Sequence, residues 1–184
     1  PLDSSAPAER QEFVIRDCGI RCLVTAPAQL PSLEGLEGRG LSFDALFGLE
    51  DAGALHSECI PWQNVLASPT SRPGCGPEEH DLAYIIYTSG STGAPKGIMH
   101  THFSGLSFAR WAAAEYALTP EDRLSNHAPL HFDLSIFDFF AGAVAGARTV
   151  IVPEMHTKLP ASYTQLLQDH GVTVLFTVPF ALIQ

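Results

Sequence analysis

The chain has 184 residues, of which 46% are hydrophobic and 16% charged; that balance builds a core and excludes a disordered segment, and the length suits one domain or two small lobes. A formal net charge of −10 argues against a nucleic-acid partner, because phosphate backbones need clustered Lys and Arg. No signal-peptide pattern and no apolar run of membrane-spanning length is read, so a cytoplasmic protein with no membrane partner is expected.

The cysteines, Cys18, Cys22, Cys59 and Cys75, form no C-x-x-C pair and no secreted framework, and read as thiols in a reducing compartment. In chain order, Pro7 to Asp17 predicts a helix with Pro in its first turn and Gly19 as its stop. Ile20 to Thr25 predicts a short strand. From Ala26 to Pro77 the chain is rich in Pro, Gly and Ser, and is expected to be mostly loop with one or two short strands. Pro69 to Glu79 reads as a connector. Residues 1–77 are therefore expected to form a partial first α/β unit with its connector, and residues 78–184 a second.

Leu82 to Tyr87 predicts a buried strand, and Gly97 to Thr101 another. His102 to Leu118 has helical periodicity through Leu106, Ala109, Ala113 and Ala117. Arg123 to His127 predicts an extended segment and Ser135 to Ala145 a helix ended by Gly146. Thr149 to Val152 predicts a strand, Ala161 to His170 a helix and Thr173 to Val178 a strand. Alternating strands and helices predict an α/β fold with a mostly parallel sheet and helices on both faces. Phe176, Phe180 and the run Phe137 to Phe140 are expected in core packing, and Trp111 in the core or at a contact between lobes. His100 and His102 lack a third ligand, and no metal site is expected.

Between the two strands at 82–101 stands YTSGSTGAPKG, Tyr87 to Gly97. Gly90 and Gly93 let backbone approach an anion, successive N–H groups make an anion-binding nest, and Thr88, Ser89, Ser91 and Thr92 add hydroxyl donors. The chain has only two lysines, Lys96 and Lys158, so a Lys inside this loop suits a pyrophosphate better than a solubilising role. Gly90 to Lys96 has the spacing of a Walker A loop, but Pro95 precedes the Lys and Gly97 follows it. The flexible Gly and the Mg²⁺-binding hydroxyl are thus both missing.

LAYIIYTSGSTGAPKG, Leu82 to Gly97, resembles the phosphate loop of the adenylate-forming enzymes, with Tyr, Thr, Ser-Gly, Thr-Gly, Pro-Lys and Gly all in register. A second motif, PLHFDLSIFDFF at Pro129 to Phe140, bears on the substrate. By its residues alone, Asp133 reads as a turn or cap aspartate. The resemblance adds that amino-acid-activating members carry Phe-Asp-x-Ser here, matched by Phe132, Asp133, Leu134 and Ser135. In those enzymes the Asp pairs with the substrate's α-ammonium group, since a cation entering an apolar pocket needs a fixed counter-charge. The same resemblance puts Phe132 beside the substrate carboxylate and gives Leu134 and Phe137 the side-chain pocket. PLDSSAPAER at the start also resembles a family segment.

The resemblance implies part of the N-terminal region of a nonribosomal-peptide-synthetase-type adenylation enzyme. It would convert amino acid and ATP to aminoacyl-AMP and pyrophosphate, then pass the acyl group to a phosphopantetheine thiol on a carrier protein or CoA. Thr88 and Lys96 are the expected catalytic pair. Thr88, Ser89, Gly90, Ser91, Thr92, Gly93, Lys96 and Gly97 are expected to hold the ATP phosphates, with the Mg²⁺ ligand outside this chain. The remainder of the adenylation enzyme is an expected partner, and the 184 residues alone are expected to be inactive. An acyl- or aryl-acid CoA ligase of the same superfamily, or a non-catalytic fragment, are the alternatives.

Overall fold

A computed structural model describes residues 1–51, 53–71, 73–88 and 95–179. They fall into two units, Leu2–Gly74 and, together with Pro1, the chain from Cys75 onward.

In the first unit, helix α1 (Ala8–Asp17) starts directly after Pro7, whose φ of −53° suits a helix entry. Three short strands, β1 (Cys22–Val24), β2 (Ala45–Phe47) and β3 (Cys59–Ile60), pair in parallel in the order β1-β2-β3. The stretch expected to be mostly loop is more ordered than that. A 3-10 turn, Pro27–Gln29, runs into helix α2 (Leu30–Gly38), and helix α3 (Trp62–Leu66) follows β3. Gly35 and Gly38 lower the helix propensity of α2, which hides it in the sequence. Burial makes it instead. Leu33 and Leu36 pack with Ile15, Phe43, Leu46 and Leu49 in one core, each worth roughly 1.5–3 kcal/mol. Glu37 then ties the chain before β3, accepting from the backbone N–H of His56 at 2.8 Å and of Ser57 at 3.2 Å, and from the Ser57 hydroxyl.

The second unit opens with an antiparallel hairpin, β4 (Leu82–Thr88) and β5 (Lys96–Thr101). Helix α4 (His102–Glu115) follows at once, capped by the Thr101 hydroxyl, which accepts from the Ser104 N–H at 3.2 Å. Next come β6 (Arg123–Asn126), β7 (Arg148–Ile151) and β8 (Val174–Leu175), a parallel sheet in the order β7-β6-β8. Side chains alternate across β6. Leu124 packs with Ala112, Phe137 and Ala141, and Ser125 faces Tyr163, which packs with Val150, Val152 and Leu166. Helices therefore cover both faces, as the alternation of elements predicts. Helix α8 (Pro160–Asp169) is the expected one, whereas the short α7 (Glu154–Thr157) carries too few residues for a periodic signal. The last strand is shorter than the expected Thr173 to Val178.

The helix expected from Ser135 to Ala145 is three pieces: α5 (Leu134–Ile136), a π-helical turn at Phe137–Ala141, and α6 (Gly142–Ala145). The Thr149 hydroxyl donates to the Asp138 carbonyl at 2.7 Å. A side chain from β7 thus enters the helical hydrogen-bond ladder, which is a cause of such wide turns. Gly146, at φ 71°, ends the helix as expected. Of the aromatic residues expected in the core, Phe137 is buried but Phe140 is 47% exposed; Trp111, expected in the core or at a lobe contact, is 54% exposed. Phe180 lies outside the described residues.

Candidate active site

The hairpin sets the phosphate-loop geometry. Thr88 ends β4, Lys96 begins β5, and the two are direct partners, followed by Tyr87 opposite Gly97. Directly opposed residues of an antiparallel pair share a face, so the Thr88 hydroxyl and the Lys96 stem stand side by side where the connecting loop leaves the sheet. Both residues are exposed. Ser89, Gly90, Ser91, Thr92 and Gly93 lie outside the described residues. Gly97 has a packing reason to be Gly. A Cβ there would sit 3.0 Å from the Tyr87 ring and from Ile85 Cγ2, so the ring lies across the strand.

Tyr84 fastens the hairpin to the helices. Its ring stacks on His100, with centroids 4.7 Å apart, and lies near-parallel to Phe140 at 6.2 Å. Gly105 of α4 makes room for it, because a Cβ there would meet the ring at 3.0 Å. Below these contacts is an apolar cavity of about 590 Å³, bordered by Tyr84, Ile86, Leu106, Ile136, Phe139 and Phe140. The hairpin and the helix that follows Asp133 therefore flank one space.

The second motif is a loop folded on its own backbone. The Phe132 N–H donates to the Pro129 carbonyl at 2.9 Å, and the Ser135 N–H to the Phe132 carbonyl at 3.1 Å. The buried Ser135 hydroxyl donates to the same Phe132 carbonyl at 2.7 Å. These bonds leave Phe132 and Asp133 exposed at the start of α5, with Leu134 half-buried. Phe137 is only 2% exposed; its ring meets Phe176 at 4.5 Å and, edge-on, Tyr116 at 5.5 Å. Phe176 thus stands beside a residue the sequence assigned to a pocket, whereas the sequence reading gave it only core packing.

Beside the loop lies polar chemistry to which the sequence reading gave no site role: Asp138 reads there as an acidic residue in a helix's first turn, and His127 as one of two histidines that Pro129 keeps off a shared helix face. Asp138 is fully buried, and burial pushes its carboxyl up to about 7, partly offset by a hydrogen bond from Asn126. Asn126 Nδ2 donates to the Ala128 carbonyl at 2.8 Å and approaches Asp138 Oδ2 at 3.4 Å. His127, its ring 5.0 Å from that of Tyr163, is held below its usual range by burial. Among the described residues, Asp138 Oδ1, His127 Nδ1 and Thr177 Oγ1 are buried without a hydrogen-bond partner. The available sequence signals were Ser125 and Asn126 in a buried strand and an Asp inside an aromatic run.

The AMP-binding enzyme family model matches residues 1–184. Among curated relatives, an L-proline–[L-prolyl-carrier protein] ligase of Pseudomonas fluorescens is 34% identical over 99% of this chain and 35% of its own length. The chain thus spans about a third of that relative. Among solved structures, the Vibrio cholerae adenylation domain AlmE in complex with glycyl-adenosine-5'-phosphate superposes with a TM-score of 0.76, at 25% identity, over the whole of this chain and 36% of that one. The anthranilate CoA ligase AuaEII in complex with anthranoyl-AMP superposes at 0.83 over 98% of this chain and 35% of that one; at 20% identity it speaks for the fold alone.

Proposed function

The chain belongs to the AMP-binding enzyme family, and on that premise we propose that it is part of an amino-acid adenylation enzyme. The reaction joins an amino-acid carboxylate to the α-phosphorus of ATP, breaks the bond to the β-phosphate and releases pyrophosphate. The substrate supplies the nucleophile. The protein's work is to position the reactants and stabilise the charge that develops on the leaving group. Thr88, Lys96 and Gly97, with Ser89, Gly90, Ser91, Thr92 and Gly93 between them, hold and orient the β- and γ-phosphates. Mg²⁺ lowers the charge density of the phosphates when bound. Among the described residues no group of His, Cys, Asp or Glu is arranged to hold it, and its ligand is assigned to the rest of the enzyme.

Asp133 meets the substrate's ammonium group, Phe132 stands beside its carboxylate, and Leu134 and Phe137 contribute to the side-chain pocket. Their chemistry favours an apolar or small amino acid. The Pseudomonas fluorescens relative supports L-proline as a first substrate to try, and supports a carrier-protein thiol rather than CoA as the acceptor of the acyl group. Among the described residues no helix is long and apolar enough to cross a membrane, and we place the reaction in the cytoplasm.

The observation that carries this reading is the pairing of Thr88 with Lys96 at the two ends of the Ser/Gly segment, on a hairpin whose Tyr84 and Ile86 border the same cavity as Ser135 and Ile136 of the helix that Asp133 begins. The test is amino-acid-dependent pyrophosphate exchange by the complete protein, over a panel of amino acids and matched acyl and aryl acids. Exchange with amino acids, L-proline among the first, is expected. Exchange only with acids lacking an amino group would replace this reading with the acyl- or aryl-acid one.

A further inference from the structure

We propose that Asn126 and Asp138 are positioning residues for substrate recognition, a buried amide–carboxyl pair that fixes the loop from His127 to Phe132 and so sets where the Asp133 carboxylate stands. The proposal rests on the reading of Asp133 as the ammonium anchor. Asn126 is the last residue of β6 and is 8% exposed; Asp138 is wholly buried on the π-helical turn. A side-chain amide has two N–H protons. One reaches the Ala128 carbonyl at 2.8 Å, inside the loop, and the other points to Asp138 Oδ2 at 3.4 Å, on the helix. The Asp138 carbonyl in turn accepts from the Thr149 hydroxyl of β7. Two strands, the loop and the helix meet at this pair. The far end of the loop is held separately by Ser135 on the Phe132 carbonyl, and Asp133 comes next, at the start of the helical segment that carries Asp138.

Packing alone does not account for a carboxyl here. A buried carboxyl costs far more than an apolar side chain of its size, and Asp138 Oδ1 has no partner among the described residues. What Asp138 supplies is an acceptor that stops the Asn126 amide from turning. Once that amide turns, Ala128 loses its donor and the near end of the loop is released. Misplacement of a binding group by an ångström is enough to cost catalysis heavily.

The test uses the complete enzyme, with separate KM values for amino acid and ATP in pyrophosphate exchange. Asp138→Ala and Asn126→Ala are each expected to raise the amino-acid KM about tenfold or more while the ATP KM stays within about twofold. The double variant should be no worse than either single one, because the pair acts as a unit. Asp138→Asn keeps the shape and an acceptor, and should recover most of the loss. Asn126→Leu keeps roughly the size but cannot donate to the Ala128 carbonyl; it should raise the amino-acid KM, and it carries the test if Asp138→Ala does not fold. Amino-acid and ATP KM values rising together, strictly additive losses, or a wild-type amino-acid KM in Asn126→Leu would overturn the proposal. Asp133→Asn separates the two claims. An undisturbed amino-acid KM there sinks the ammonium reading itself, whereas a raised one beside an indifferent Asn126→Leu leaves that reading standing and removes only the positioning role.

Discussion

Lys96 faces Thr88 across the end of the hairpin, where, in the proposed reaction, its cation would meet charge growing on a departing pyrophosphate. Lys96→Ala in the complete enzyme is expected to slow adenylation by about tenfold to a hundredfold, equivalent to roughly 1.4–2.7 kcal/mol of transition-state stabilisation; single-turnover rates check it. Asp138 yields a pH effect of definite sign. Its carboxyl, raised from 3.8 to about 7 in the fold, keeps a proton that the unfolded chain has already released. The stability it contributes is therefore full below the ordinary value and lost as pH rises through about 7, at up to about 1.4 kcal/mol per pH unit in between. Shifted groups near this buried strand end are His127, lowered by burial, and Tyr163 of α8, whose hydroxyl is raised mainly by burial, against a hydrogen bond with Ser125 and with a smaller push from Asp138. Denaturant titration of the complete protein between pH 4 and pH 7 should show a slope that Asp138→Asn reduces. Lys96 and Asp133 are proposed from the sequence because each belongs to an ordered motif. The contact of Asp138 with Asn126 has no such signal, because a parallel crossover brings the two together.

The hairpin β4–β5 was legible as two strands, since an apolar run precedes the loop and β5 carries Ile98 and Met99. What the sequence hides is why its glycine sits where it does: Gly97 is required by the Tyr87 ring on the partner strand. Gly97→Val is expected to lift that ring, disturb the Thr88–Lys96 pairing and raise the ATP KM more than the amino-acid KM, which steady-state kinetics on the complete enzyme would show. Helix α2 was illegible for a different reason. Its glycines and its low propensity mimic a loop, and only Leu33 and Leu36 meeting Ile15 and Leu46 make it a helix. Leu36→Ala should then destabilise the first unit by about 2–5 kcal/mol, read as a lower denaturant midpoint. The π-helical turn was invisible because its cause, the Thr149 hydroxyl, lies on the next strand.

At the scale of the molecule, alternating strands and helices disclosed the α/β class and the covered parallel sheet, while the division at Gly74 and Cys75 falls within the Pro69 to Glu79 stretch that reads as a connector. The unit from Cys75 on carries both features on which the proposed function rests: the hairpin that pairs Thr88 with Lys96 and the loop that exposes Asp133. It also exposes Phe103, Leu106, Phe108 and Trp111 along α4, more apolar surface than one helix normally leaves to water. The chain spans about a third of its curated proline-ligase relative, and residues 1–184 by themselves are expected to give no amino-acid-dependent pyrophosphate exchange. The central claim is that Asp133 selects an amino acid by its charge. Its most direct test is kcat/KM of wild type and Asp133→Ala, in the complete enzyme, toward the amino acid and toward the same acid without its amino group. Loss of the partner of a buried ammonium costs on the order of 3–5 kcal/mol, so a fall of hundreds-fold or more is expected for the amino acid and a much smaller one for the des-amino acid. Equal falls for both substrates would contradict the claim and leave Asp133 as a residue of the helix start.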